Sequence, residues 1–187
     1  MRCARGGESY PFLFWVKARK MKTKEVTLLN GDKVTVSEIT YAQYKKTRES
    51  DDSFDNEFAF VLACSGLTCE QLESLDTPDF NELLIAATTL NDPEKIPPIG
   101  ATSIPLSNPV MSVMGELVDV ANISMPKVKH SRELSKLKDN FRRMEYMIQA
   151  TTGIADLDSM AMSDYSALVL AVPDFFVKGA AFFQRHK

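Results

Sequence analysis

The chain repeats itself. Residues 31–39 read Gly31-Asp32-Lys33-Val34-Thr35-Val36-Ser37-Glu38-Ile39, and residues 115–123 read Gly115-Glu116-Leu117-Val118-Asp119-Val120-Ala121-Asn122-Ile123. A Gly, acid, x, Val, x, Val, x, x, Ile pattern thus recurs at an offset of 84, where Thr40 also meets Ser124 and Arg48-Glu49 meets Arg132-Glu133. Ala63-Cys64-Ser65-Gly66-Leu67 meets Ala150-Thr151-Thr152-Gly153-Ile154 at an offset of 87. Leu72, Ser74 and Leu75 meet Leu157, Ser159 and Met160 at an offset of 85, and so do Asp79-Phe80 with Asp164-Tyr165. The order is collinear and the shifts are small, which predicts an internal duplication. A unit of about 65 residues buries only a small core. The two units are therefore expected to pack on each other or on neighbouring molecules.

The expected division is a first unit at 24–90, a Pro-rich linker at 91–108, a second unit at 109–174 and a Phe-rich tail at 175–187. The linker carries Pro93, Pro97, Pro98 and Pro105, which lack backbone donors and hold their neighbours extended. Each unit reads as a short β-hairpin followed by three or four helices, giving an α+β, mostly helical fold. Asn30-Gly31 suits a tight hairpin turn, and Met114-Gly115 stands in the same place. A short helix follows at Tyr41–Arg48. Phe54, Phe58, Val61 and Leu62 recur at helical spacing up to Gly66, a left-handed stop. Thr68 and Gln71 form a capping-box pair, and Thr77-Pro78 reads as an N-cap with proline in the first turn. That helix is expected to reach about Thr89. In the second unit one long helix is expected from Arg132 to Ala150, stopped by Gly153. Ser163 is expected to cap the last helix and Pro173 to end it.

The composition discourages catalysis. Of 187 residues only His130 and His186 are histidine, which weakens Ser/His/Asp and Cys/His chemistry and most zinc sites. Cys3, Cys64 and Cys69 are too few and odd in number for a disulfide framework. Cys64 and Cys69 read as buried structural thiols. The sequence carries no Gly-rich phosphate loop, metal-binding His pair or nucleophile elbow. A protein that is not an enzyme and needs no cofactor or metal is expected. No apolar run is long enough to span a bilayer.

Charge is unevenly spread beneath a net −3. Residues 49–95 hold twelve acids and one base, whereas residues 127–145 hold seven Lys/Arg and three acids. Opposite blocks orient an association. The self-association candidates are Asp51, Asp52 and Asp55 against Lys129, Arg132, Lys136, Arg142 and Arg143, meeting within one chain or between neighbours. Seven of nine methionines lie at Met111 or later, among them Met114, Met144 and Met162; methionine adapts to irregular apolar partners. Phe175, Phe176, Phe182 and Phe183 crowd the C-terminal tail, where they either dock on the second unit or wait for a partner. The partner-binding candidates are these four with Met111 and Met114.

Gly66-Leu67, the Leu72–Asp76 segment and Asp79-Phe80, with an apolar helix after them, resemble the tail assembly chaperones of long-tailed bacteriophages. Gly153-Ile154, Leu157–Met160 and Asp164-Tyr165 repeat the resemblance, without the aspartate after the second apolar residue. Family members are often single-copy. The resemblance implies a phage or prophage tail assembly chaperone that binds and solubilises the tape measure protein and helps recruit tail tube subunits. It further implies action in the cytoplasm of the bacterial host and absence from the mature virion. The alternatives are a virion structural or tail-completion/adaptor subunit, or a nucleic-acid-binding module acting through the basic helix at 127–143. The acidic pI of about 5.5 disfavours the last, and no membrane partner is expected.

Residues 1–20 fit none of this. Arg2, Arg5, Lys17, Arg19 and Lys20 flank a short apolar run at Phe12–Val16, whereas Met21-Lys22-Thr23-Lys24 reads as a normal bacterial start. The expectation is that residues 1–20 are a non-native or upstream extension. Intact-mass measurement on natively produced protein should then give a chain beginning at Met21; a chain retaining residue 1 would make the arm real.

Overall fold

The computed structural model describes residues 21–178 and Phe182. The extension at 1–20 and Phe183 lie outside the described residues. Strands β1 (Thr23–Thr27) and β2 (Lys33–Ser37) pair antiparallel, with Val26 opposite Val34. Asn30 and Gly31 make the turn: Asn30 Oδ1 accepts from the Asp32 N–H at 2.9 Å, and Gly31 takes φ 90°, the conformation glycine adopts without steric cost. Helices α1 (Tyr41–Lys46), α2 (Ser53–Ser65), α3 (Cys69–Glu73) and α4 (Thr77–Asn91) complete the first unit. The second begins with β3 (Ser103–Met111) and β4 (Leu117–Asn122), again an antiparallel pair, followed by α5 (Val128–Leu134), α6 (Asn140–Thr152), α7 (Met162–Ala171) and α8 (Pro173–Val177). The structure is α+β and mostly helical.

The repeat is visible in the chemistry of the element ends. Helices α2 and α6 are both 13 residues long, begin at capping aspartates Asp52 and Asp139, and end at Gly66 (φ 67°) and Gly153 (φ 69°). Helix α5 starts at Val128, 87 positions after Tyr41 starts α1, so the matches of Thr40 with Ser124 and of Arg48-Glu49 with Arg132-Glu133 at offset 84 are replaced by a register of 87 from the helix caps onward. The matched buried aspartates of α4 and α7 do similar work. Asp79 Oδ1 accepts from the Leu29 N–H at 2.9 Å, just past β1, and Asp164 Oδ2 accepts from the Ser107 N–H at 2.8 Å in β3. Asp79 thus ties α4 to the β1–β2 turn, and Asp164 ties α7 to β3.

Several expectations need correction. Strand β3 begins at Ser103, inside the segment read as linker, and Asn91 is the buried last residue of α4. Pro105 and Pro109 are accommodated because β3 belongs to a two-stranded sheet with a register shift between Pro105 and Val110; proline is tolerated on such edges and irregularities. The long helix expected at 132–150 is two helices. Asp139 accepts from the Arg142 N–H at 2.7 Å and opens a new helix there, as Asp52 does in the first unit. Asp76 rather than Thr77 precedes α4, and Ala161 rather than Ser163 precedes α7. Pro173 opens α8 rather than simply closing α7. The counterpart of α3 in the second unit is an irregular segment, held by hydrogen bonds from Ser159 N to Asp156 and from Met160 N to Leu157.

One apolar core runs through both units. Val36, Ile39, Val61 and Leu83 of the first belong to the same buried cluster as Ile148, Ile154, Met160 and Leu168 of the second. Gly66→Ala and Gly153→Ala should each destabilise by about 1–2 kcal/mol, the cost of a left-handed alanine, since no atom crowds a Cβ at either site closer than Val113 at 3.8 Å. Urea denaturation checks this; unchanged midpoints would contradict it.

Candidate partner-binding groove

The groove is made by the way the two units lock together. Thr40 and Ala161 form an antiparallel bridge, with Tyr41 N donating to Met160 O and Met162 N donating to Ile39 O, both at 2.9 Å. This threads the start of α1 against the start of α7. Tyr41 has no exposed surface; its ring stacks on Tyr165 with centroids 3.7 Å apart, and the Tyr165 hydroxyl donates to Tyr41 Oη at 3.1 Å. Burial pushes both phenols up, Tyr165 to about 12, so both stay neutral. Asn91 fixes the other side: its Oδ1 accepts from Ile39 N at 3.0 Å, and its carbonyl accepts from the Ser166 hydroxyl at 3.2 Å.

Beside this junction α6 and α7 diverge and leave an apolar hollow of about 380 Å³, with Tyr44, Phe141, Met144, Met162, Val169 and Leu170 on its walls. Phe141 is 41% and Leu170 54% exposed, unusual for side chains of that size meeting across one hollow. The hollow shares Tyr44, Asp92, Met162 and Ser166 with a second, more polar one bounded by Arg48, Glu57 and Phe60. Together they form a groove that is apolar at the α6 end and charged at the α2 end. Two of its wall residues, Met144 and Met162, belong to the methionine-rich half seen in the sequence. Phe141 and Leu170 carried no signal of their own, because residues on different helices meet only in the fold.

A third hollow, of about 430 Å³, lies under the Pro-rich connection and is bordered by Lys22, Ser163 and Asp164. Its polar groups serve the fold. Buried Glu38 accepts from the Lys22 and Ser163 amides and from the Ser163 hydroxyl, and Asp164 accepts from both the amide and the hydroxyl of Ser107. Burial holds the Asp164 carboxyl above the usual carboxylate range, and the Ser107 hydrogen bonds pull the other way.

The candidates chosen from sequence are dispersed. Phe175 is buried, and Phe176 and Phe182 pack on the core, with Lys178 Nζ 5.3 Å from the Phe182 ring centre; these three phenylalanines dock rather than waiting free. Met111 is half-buried at the end of β3, and Met114 is exposed at the β3–β4 turn. Asp52 caps α2, Asp55 accepts from the Ser50 hydroxyl, and Asp51 is exposed. Lys129, Arg132 and Arg142 are exposed, Lys136 pairs with Glu133 at 2.7 Å, and Arg143 donates to Leu137 O. Among the described residues, no ion pair joins the two charge blocks. Among the described residues, the ion pairs that cross between units run from Lys45 to Glu145 at 3.1 Å and to Asp158 at 2.5 Å, a base of the first unit with acids of the second.

No helix among the described residues is long and apolar enough to cross a membrane. Comparison with protein-family models, curated proteins and solved structures finds no match.

The cysteines also divide. Cys64 is buried beside Asn91, and desolvation raises its thiol to about 12, whereas Cys69 is exposed, contrary to the expectation that both are buried. Thiolate is the reactive form. Iodoacetamide at pH 8 should therefore modify Cys69 quickly and Cys64 only after denaturant is added, as mapped by peptide mass spectrometry; equal rates in the folded protein would contradict this placement.

Proposed function

We propose that the protein is a non-catalytic assembly chaperone of the phage or prophage tail type, which holds an apolar helical client in the groove between its units. The observation that carries this is the hollow walled by Tyr44, Phe141, Met144, Met162 and Leu170. Methionine and aromatic side chains re-pack around varied apolar surfaces, and a groove of this kind suits the apolar stripe of an amphipathic helix. A tape measure protein, long, helical and apolar, has this chemistry. Recruitment of tail tube subunits, action in the host cytoplasm and departure before the virion is complete belong to the same proposal and follow from the resemblance at Gly66–Phe80.

Co-expression with the long helical product of a neighbouring gene tests it. The client should be soluble with the protein and insoluble without it. Phe141→Ser combined with Leu170→Ser should abolish that effect while leaving the circular dichroism melt in place, because both side chains are substantially exposed. A client that stays insoluble in the presence of the wild-type chain overturns the proposal, as does finding the protein in stoichiometric amount in purified particles, which would make it a virion subunit.

A further inference from the structure

The contact between the units is one-sided. Within the chain, the start of α1 seats on the start of α7: Thr40 bridges Ala161, Tyr41 stacks on Tyr165, and Lys45 pairs with Asp158. The repeat supplies a second copy of each surface. Moved on by 87 positions, Thr40, Tyr41 and Lys45 become Lys127, Val128 and Arg132 at the start of α5. Moved back by 85, Ala161, Tyr165 and Asp158 become Asp76, Phe80 and Glu73 at the corner between α3 and α4. The register holds at the caps, since Thr40 and Lys127 precede α1 and α5, and Ala161 and Asp76 precede α7 and α4.

Were the units related by a two-fold axis, Val128 would be covered by the first unit as Tyr41 is covered by the second. Val128 is instead 83% exposed, and Lys127, Arg132, Glu73 and Asp76 are exposed as well. The relation is therefore head-to-tail, and a head-to-tail contact leaves one unused surface at each end. The unused surfaces match each other. Lys127 would face Asp76, Arg132 would face Glu73 in place of the Lys45–Asp158 pair, and Val128 would meet the 58% exposed Phe54, whose ring lies over the buried Phe80 with ring centres 5.6 Å apart. The acidic and basic blocks, which no ion pair joins among the described residues, are the blocks that carry these residues.

We propose that the chain associates with further copies of itself head to tail, α5 of one copy seating on the α3–α4 corner of the next as α1 seats on α7 within the chain. Such a contact closes into a ring or extends as a filament according to the rotation per step. It is independent of the client groove.

Sedimentation velocity of the full chain over a concentration series at low salt tests the proposal. The wild type should form species beyond a dimer, and these should weaken as salt rises. Arg132→Glu and Glu73→Arg should each weaken association tenfold or more and sediment as monomers. An equimolar mixture should recover the large species, because each variant's altered surface complements the other's. All of these residues are exposed, so unchanged circular dichroism should accompany the loss. A monomeric wild type, a closed dimer insensitive to both variants, or a mixture that fails to recover association would each overturn the proposal.

Discussion

The stacking of Tyr41 on Tyr165 is the contact on which the rest of the molecule depends. Each unit alone offers a two-stranded hairpin and a few short helices, too little to close a core. Burying Tyr41 completely against α7 joins the two partial cores into one, and the Tyr165 hydroxyl finds its acceptor in Tyr41 Oη. The flanking backbone bonds of Ile39, Tyr41, Met160 and Met162 fix the register. Asn91 does the same for the end of α4 by bonding Ile39 on one side and Ser166 on the other.

The duplicated parts that survive in both units are those with local physical causes. A glycine in the left-handed conformation stops α2 and α6, an aspartate opens each, and a buried aspartate on α4 or α7 secures the unit's own hairpin. The parts that diverged lie at the junction. Tyr41 matches Val128 and Asn91 matches Phe176 at the repeat offsets, and of these only Tyr41 and Asn91 contact the other unit at the junction. The apolar hollow lies where α6 and α7 of the second unit meet the end of the first.

Much of the architecture was legible as sequence. Hairpins at Asn30-Gly31 and Met114-Gly115, the stops at Gly66 and Gly153 and the capping box at Thr68–Gln71 rest on interactions a few residues long. The long helix expected across 132–150 failed at Asp139, whose side chain caps the N–H of Arg142; helical periodicity on both sides concealed the break. Strand β3 was hidden by Pro105 and Pro109, which argue against a strand until the open edge of a two-stranded sheet is known. The phenylalanines of the tail were conspicuous but not diagnostic, since a run of aromatic residues reads the same whether it is covered or bare. Phe141 and Leu170 gave no signal, as each is an ordinary apolar residue on its own helix.

By itself the sequence determined the repeated pattern of residues, the element types, most of their ends and the two opposed charge blocks, because these depend on composition and on contacts near in the chain. The tertiary structure alone decided which surfaces are spent inside the molecule and which are left over. Tyr41 and Val128 occupy the same place in the repeat, yet one has no exposed surface and the other is 83% exposed. Nothing local distinguishes those fates. The difference is set by whether another unit stands beside the residue in space, a long-range fact of packing.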